Sequence, residues 1–252
     1  MMMKIALITG GSRGLGRNMA MHLADKGCDI VFTYRERKDE AEKAMREIVV
    51  KGRKAVALQL DLEKPETLDA FAVTVKNTLQ ENWQVNHFDY LINNGGMGIY
   101  TSIADTTPAQ FDALMNVHLK SPFFLTQKLA SLINDGGHIV NISTGLARFS
   151  YPNYAAYAMM KGGLEVFTRY LAQELGARKI TVNTIAPGAI ETDFGGGVVR
   201  DNKELNQTIA SRTALGRAGL PDDIGSAVAA LLTQEPCWIN GQRIEVAGGA
   251  HL

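Results

Sequence analysis

The sequence predicts a doubly wound α/β fold, a parallel seven-stranded sheet with helices on both faces in a three-layer sandwich. Short β-branched runs alternate with longer stretches of helical period, the pattern left by parallel strands joined through crossover helices. Most of those runs are apolar on both faces, as a sheet covered on both sides requires. The first run also feeds directly into a glycine-rich turn that opens a helix.

Strands are expected, in order, at residues 4–9, 29–34, 55–60, 89–93, 138–143, 181–186 and 243–246. Helices are expected between them at 15–26, 39–51, 65–79, 108–133, 152–176 and 221–232. Four of these open at a proline, Pro65, Pro108, Pro152 and Pro221, where a missing N–H removes no hydrogen bond. Two stretches break the rhythm. Residues 80–88 read as a polar surface excursion without an assigned role. Residues 194–206 hold Gly195-Gly196-Gly197, which weakens regular structure and points to a mobile substrate flap within a wider region, 190–212.

The chain has 252 residues, 46% of them apolar, enough for a full core. No Pro/Ser-rich linker, charge block or repeat divides it, so a single domain over 1–252 is expected. Lys plus Arg (26) balance Asp plus Glu (26), and a net charge of zero removes the field that draws proteins to nucleic acid or anionic lipid. No run approaches the roughly eighteen apolar residues of a membrane-spanning helix. Residues 1–9 lead straight into the first strand with no long apolar leader. Cys28 and Cys237 form no CxxC pair, and the 5 histidines are dispersed, so neither a disulfide framework nor a metal site is expected. The expectation is a soluble, cytoplasmic protein with no nucleic-acid or membrane partner.

Chemistry concentrates in three places. Gly10, Gly14 and Gly16, with Ser12, Arg13 and Leu15 between them, follow the first strand in the spacing Gly-x-x-x-Gly-x-Gly. Gly10 allows the sharp turn, Gly14 a close approach of the backbone to a pyrophosphate, and Gly16 tight packing of helix on strand, a Rossmann-type arrangement. Tyr157 and Lys161 stand four residues apart in the fifth helix, which puts phenol and ammonium on one face. A neighbouring cation is expected to lower the tyrosine pKa from about 10 toward working pH, making Tyr157 a general acid or base. Ser143 closes the fifth strand, at the sheet edge where open α/β folds bind ligands, and its hydroxyl can hold a carbonyl oxygen.

From Lys4 to Gly249 the chain resembles the short-chain dehydrogenase/reductase family. The motifs that carry the resemblance are the turn at 9–16, Asp61-Leu62, Asn93-Asn94-Gly95-Gly96, Asn116, Ser143, Tyr157, Lys161, and Pro187-Gly188 with Thr192, all in family order. The resemblance implies that Tyr157 transfers the proton, that Ser143 orients the substrate oxygen, and that Lys161 holds the nicotinamide ribose and lowers the tyrosine pKa. It also implies that Asn116 anchors a proton-relay water. Asp61 would meet the adenine, while Leu62, Asn93, Gly95, Pro187, Gly188, Ile190 and Thr192 would line the nucleotide pocket. Gly95 stands where the family usually has alanine, and the missing methyl is expected to enlarge the pocket slightly. His118, close to Asn116, is expected on a helix surface.

The second strand ends Tyr34-Arg35-Glu36, where an NAD enzyme would place a carboxylate on the ribose 2′-hydroxyl. Tyr34 holds that position, and Arg35 and Arg13 can converge on a 2′-phosphate, so NADP(H) is expected over NAD(H), with Glu36 keeping NAD open. The expected activity is hydride transfer between NADP(H) and a carbonyl or alcohol substrate, with 3-oxoacyl thioester reduction one subclass. An NAD-dependent dehydrogenase of a sugar or cyclic alcohol is the alternative. A non-catalytic nucleotide sensor or regulatory subunit is the other class, against which the complete proton-transfer set argues. Met97, Phe149 and Tyr151 give the substrate pocket an apolar lining. The resemblance implies a homo-oligomer, tetramer or dimer, and Val166 and Tyr170, which lie off the buried stripe of their helix, are free to meet a partner helix.

Overall fold

The computed structural model describes residues 3–234 and 237–252. Strands β1 (Lys4–Ile8), β2 (Cys28–Tyr34), β3 (Ala55–Gln59), β4 (Phe88–Asn93), β5 (Ile133–Ile142), β6 (Thr181–Pro187) and β7 (Arg243–Val246) form one sheet. Its order is β3-β2-β1-β4-β5-β6-β7, and each neighbouring pair is parallel. All strand carboxyl ends therefore lie along one edge, and the winding reverses between β1 and β4, the place where such folds open a crevice.

Alternation along β1 divides the core in two. Ala6 and Ile8 face helices α1 (Gly14–Asp25), α2 (Lys38–Val50) and α9 (Pro221–Thr233), while Ile5 and Leu7 face α3 (Leu68–Trp83), α5 (Ser121–Leu129) and α6 (Ala155–Glu174). The expected doubly wound, three-layer architecture is present. Among the described residues no helix is long and apolar enough to cross a membrane.

Three segments differ from their sequence readings. Residues 80–88 are a surface excursion only in part: a 3-10 turn at Pro65–Thr67 leads into α3, which continues to Trp83 and ends at Gln84 in the left-handed region (φ 55°), and an exposed connection over 84–87 then enters β4. Trp83 is buried there, its Nε1 donating to Asp29 at 2.8 Å, a partner 54 positions away. The long helix expected at 108–133 is broken. Thr107 and Gln110 cap α4 (Pro108–Met115) reciprocally, a π-helical turn fills Asn116–Lys120, and α5 gives way at Ile133 to β5.

The glycine-rich stretch is more regular than its composition suggests. A 3-10 turn, Phe194–Gly197, precedes α7 (Val198–Asp201) and α8 (Lys203–Ser211). Gly195, Gly196 and Gly197 have φ of 62°, 79° and 77°, so their freedom is used to turn the chain left-handed. Arg200 then pairs with Asp193 at 2.6 Å, Asn202 caps α8 at Leu205 N, and Asn206 donates to Glu191 at 2.7 Å.

Candidate active site

At the switch point the glycine turn is shaped by close approach. Gly10 (φ 67°) and Gly14 (φ 54°) occupy the left-handed region. A Cβ on Gly16 would stand 2.1 Å from the Gly10 carbonyl oxygen, so helix and strand meet as the sequence predicts. Among the described residues only Thr192, at 3.9 Å, would come within 4 Å of a Cβ on Gly14, and α1 begins there with no side-chain cap and no acidic residue in its first turn. Free N–H groups at a dipole's positive end, beside a backbone that admits close approach, suit a pyrophosphate. Asn94 braces the turn from β4, donating to Thr9 O at 2.9 Å and Gly10 O at 3.2 Å.

The remaining sequence-predicted cofactor residues surround this turn unevenly. Ser12 is buried and Arg13 exposed at the start of α1; Leu15 packs on the core. Tyr34 ends β2, followed by Arg35, whose guanidinium pairs with Glu63 at 2.7 Å and Glu36 at 3.2 Å. Asp61 accepts from Glu63 N–H, and Leu62 O accepts from Ser121. Gly188 donates to Val246 O beside Pro187, Ile190 bridges to Gly219, and Thr192 accepts from Phe194 N–H. Asn93 departs from its expected role: its amide is buried beneath the edge, donating to Asn141 at 2.8 Å and Thr126 at 3.0 Å, so it ties β4 to β5 and α5. The pocket is not enlarged at Gly95, because a Cβ there would stand 2.6 Å from Leu62 Cδ1 and the leucine fills the space of the missing methyl.

Tyr157 sits in the first turn of α6, buried. Burial pushes its hydroxyl well above the usual value, while the Thr144 side chain that hydrogen-bonds it favours the ionised form. Lys161, one turn on, is also buried; its Nζ donates to Ile142 O at 2.7 Å and lies 5.8 Å from the centre of the Tyr157 ring. Burial lowers the Lys161 pKa from 10.5 to about 7. Desolvation is the largest influence on both groups, in place of the expected lowering of the tyrosine by a neighbouring ammonium.

Two hydroxyls and two helix positions are sorted by the fold. Ser143 donates to Glu165 Oε1 at 2.6 Å and is thereby engaged, whereas Thr144 is the hydroxyl whose side chain favours the ionised form of Tyr157. Asn116 donates to Glu63 O at 3.3 Å, bracing the loop after β3. His118 is no surface residue: it is 1% exposed, with its ring 5.0 Å from that of Tyr157 and perpendicular to it. Its Nε2 lies 2.7 Å from Met97 O and 3.3 Å from Met97 N. A carbonyl oxygen only accepts, so the shorter contact assigns the proton to Nε2 and leaves Nδ1 as a bare acceptor. Nδ1 is buried without a partner among the described residues, and burial, aided by the Lys161 charge, holds the imidazole neutral. Gly96 makes room for it, since a Cβ there would stand 2.8 Å from His118 Cε1.

A family model described as enoyl-(acyl carrier protein) reductase matches residues 10–251. The chain is a short-chain dehydrogenase/reductase. Similar members of the family include a hydroxynaphthalene reductase-like protein of Metarhizium brunneum, 34% identical over 98% of this chain and 94% of the relative. Another is a tetrahydroxynaphthalene reductase of Pestalotiopsis fici, 33% identical over 98% and 91%. Among solved structures, the promiscuous reductase LugOII of lugdunomycin biosynthesis superimposes with a TM-score of 0.93 at 34% identity, covering 99% of this chain and 98% of that one. The angucycline ketoreductase LanV, solved with NADP bound, gives 0.92 at 33%, covering 98% and 95%.

Sequence reasoning about this oxidoreductase missed Thr144, placed His118 on a surface, and gave Asn94 no role of its own. Neighbours on a strand face opposite ways, so Ser143-Thr144 presents two hydroxyls of which one reaches the crevice. The signal for His118 is indirect, in the paired glycines Gly95-Gly96 that leave space for bulkier neighbours.

Proposed function

We propose that this reductase uses NADPH to reduce a ketone on a fused, aromatic-type ring system, with Tyr157 as proton donor and Thr144 holding the carbonyl oxygen. The observation that carries the proposal is the buried pair Tyr157 and Lys161 one turn apart on α6, with Ser143 bound to Glu165 and Thr144 left as the hydroxyl that acts on Tyr157. Aromatic rings rim the same place. Phe194 lies 6.1 Å from the Tyr157 ring and against Gly98, and Phe149 packs over Gly145. The relatives named for naphthalene and angucycline ketone reduction act on flat, ring-fused molecules, which that rim suits.

When bound, a reduced nicotinamide supplies the hydride for the carbonyl carbon. Backbone N–H groups of 12–16 would take its pyrophosphate, Lys161 its ribose, and Gly188, Ile190 and Thr192 the nicotinamide side. Arg13 and Arg35 would meet a 2′-phosphate. Support for NADP over NAD comes from Tyr34, in place of a carboxylate, at the end of β2; Arg35, paired in this structure with Glu63 and Glu36, would exchange those partners for the phosphate. Tyr157 releases its proton to the carbonyl oxygen while Thr144 donates to the same oxygen. His118 acts from behind, its Nδ1 available to a hydroxyl or water and its Nε2–H tethering the Met97 loop. Exposed Val166 and Tyr170 on α6 with Phe123 on α5 would form the face of a homo-oligomer, which sedimentation tests.

The deciding experiment is NADPH oxidation against a panel of tetralones, acetoacetyl thioesters and enoyl thioesters, with Tyr157→Phe alongside. Turnover of the ring ketones, lowered about 10²–10⁴-fold by Tyr157→Phe, is expected. Turnover of the enoyl thioesters alone would overturn the proposal.

A further inference from the structure

Thr144 is held from behind by an ion network that reaches it from the last strand. Glu165 Oε1 accepts from Ser143 Oγ at 2.6 Å and from Arg243 Nε at 2.8 Å. Both side chains are sequestered, at 22% exposure for Arg243 and 12% for Glu165. The other two nitrogens of the guanidinium are also engaged. Nη1 donates to Glu245 at 2.7 Å, and Nη2 donates to the carbonyl oxygen of Thr144 at 3.0 Å. Glu245 in turn pairs with Arg148 at 3.1 Å, at the end of the 3-10 turn that begins one residue after Thr144.

The result is a clamp on the backbone either side of one hydroxyl. Ser143 is fixed by its N–H to Ile185 O at 2.8 Å and by its Oγ to Glu165. Thr144 is extended, at φ −160° and ψ 154°, and its Oγ1 accepts from Leu146 N–H. Any rotation of the peptide after Thr144 would break the contact with Arg243 and swing the Leu146 N–H away from that hydroxyl. A guanidinium fits this place because its planar fork serves three acceptors in fixed directions, whereas an ammonium is a single point charge.

We infer that Arg243, with Glu165, is a positioning residue for the reduction: it fixes the Thr144 hydroxyl opposite Tyr157 by holding the Thr144 carbonyl. This rests on Thr144 being the group that holds the substrate oxygen. Misplacement of a reacting group by about 1 Å lowers rates by on the order of 10²-fold, so the contact matters far beyond its own strength. A pair that merely held β7 to the sheet would alter stability and leave the rate insensitive to what stands at 144.

The test is a double-mutant cycle between Arg243→Met and Thr144→Ala, read as the single-turnover rate of NADPH oxidation with a tetralone, with thermal midpoints recorded for each variant. Arg243→Met is expected to slow the step about 10–100-fold when Thr144 is present. With Thr144→Ala already in place, it should change the rate by no more than about twofold. Arg243→Lys, which keeps the charge, should recover part of the rate; if Arg243→Met does not fold, Arg243→Lys and Glu165→Gln carry the same cycle. Equal slowing in both backgrounds, with Thr144→Ala itself slow, overturns the positioning role alone. Thr144→Ala at the wild-type rate overturns both that role and the assignment of Thr144.

Discussion

Replacing Lys161 by methionine keeps the reach of the side chain and removes its charge, and the effect on stability should depend on pH in a defined way. Burial lowers the Lys161 pKa from 10.5 to about 7, a gap of about 3.5. A lysine whose folded value lies below its unfolded value takes up a proton on unfolding between the two, so the native state gains stability as pH rises from about 7 toward 10.5. At about 1.36 kcal/mol per pH unit, the buried amine destabilises the fold by on the order of 4–5 kcal/mol at low pH, and this disappears above its unfolded pKa. The bond to Ile142 O that methionine cannot make offsets about 1 kcal/mol. Lys161→Met should therefore be the more stable protein at pH 7, and its advantage should fall by about 3 kcal/mol by pH 10. Urea unfolding of both proteins across that range measures it, because the difference cancels every other titrating group. A difference that stays flat from pH 7 to 10 would refute the argument, and turnover by the variant should be low throughout.

Thr144→Ala should slow turnover about 10²-fold, as loss of an oxyanion donor does, whereas Ser143→Ala should lower it far less and reduce stability by about 1 kcal/mol. Steady-state kinetics with paired melts separate the two, and the reverse ranking would return the role to Ser143. Arg35→Ala should weaken NADPH about tenfold and spare NADH, the loss of one charge-assisted bond; fluorescence titration of both cofactors reads this, and tighter NADH binding by the wild type would assign specificity to Glu36. Residues 194–206 should gain hydrogen-exchange protection when cofactor and ketone bind together, since closure over Tyr157 excludes water. Gly196→Pro, at φ 79° where proline cannot follow, should lower turnover more than cofactor affinity.

Local periodicity made the strands, the crossover helices and the glycine turn legible, because each depends on neighbours within a few positions. Tyr157 and Lys161 were legible for the same reason, being one helical turn apart. Their titration was not, since it is set by how much of α4, α6 and the sheet closes over them. The choice between Ser143 and Thr144 is made by Glu165 and Arg243, which lie 22 and 99 positions along the chain from their respective partners. Asn116 and His118 stand about 200° apart on a regular helix, and the wider π turn advances the chain by a smaller angle per residue, so a regular helical wheel misplaces both. The burial of Trp83 at the end of α3 was not legible either, because the acceptor of its N–H, Asp29 on β2, lies 54 positions away.

The paired glycines after β4 carry a consequence for how this wall of the crevice can vary. Position 96 shares one volume with the imidazole at 118, and position 95 shares another with the leucine at 62, each at a separation no methyl tolerates. Size can be moved between the two partners of each pair, but it cannot be added to either side alone. A library that randomised 96 by itself would return glycine, and one that randomised 118 by itself would return residues no larger than histidine. Randomised together they should yield compensated pairs, a small residue at 118 with alanine or serine at 96, and each pair would present a different polar group behind Tyr157.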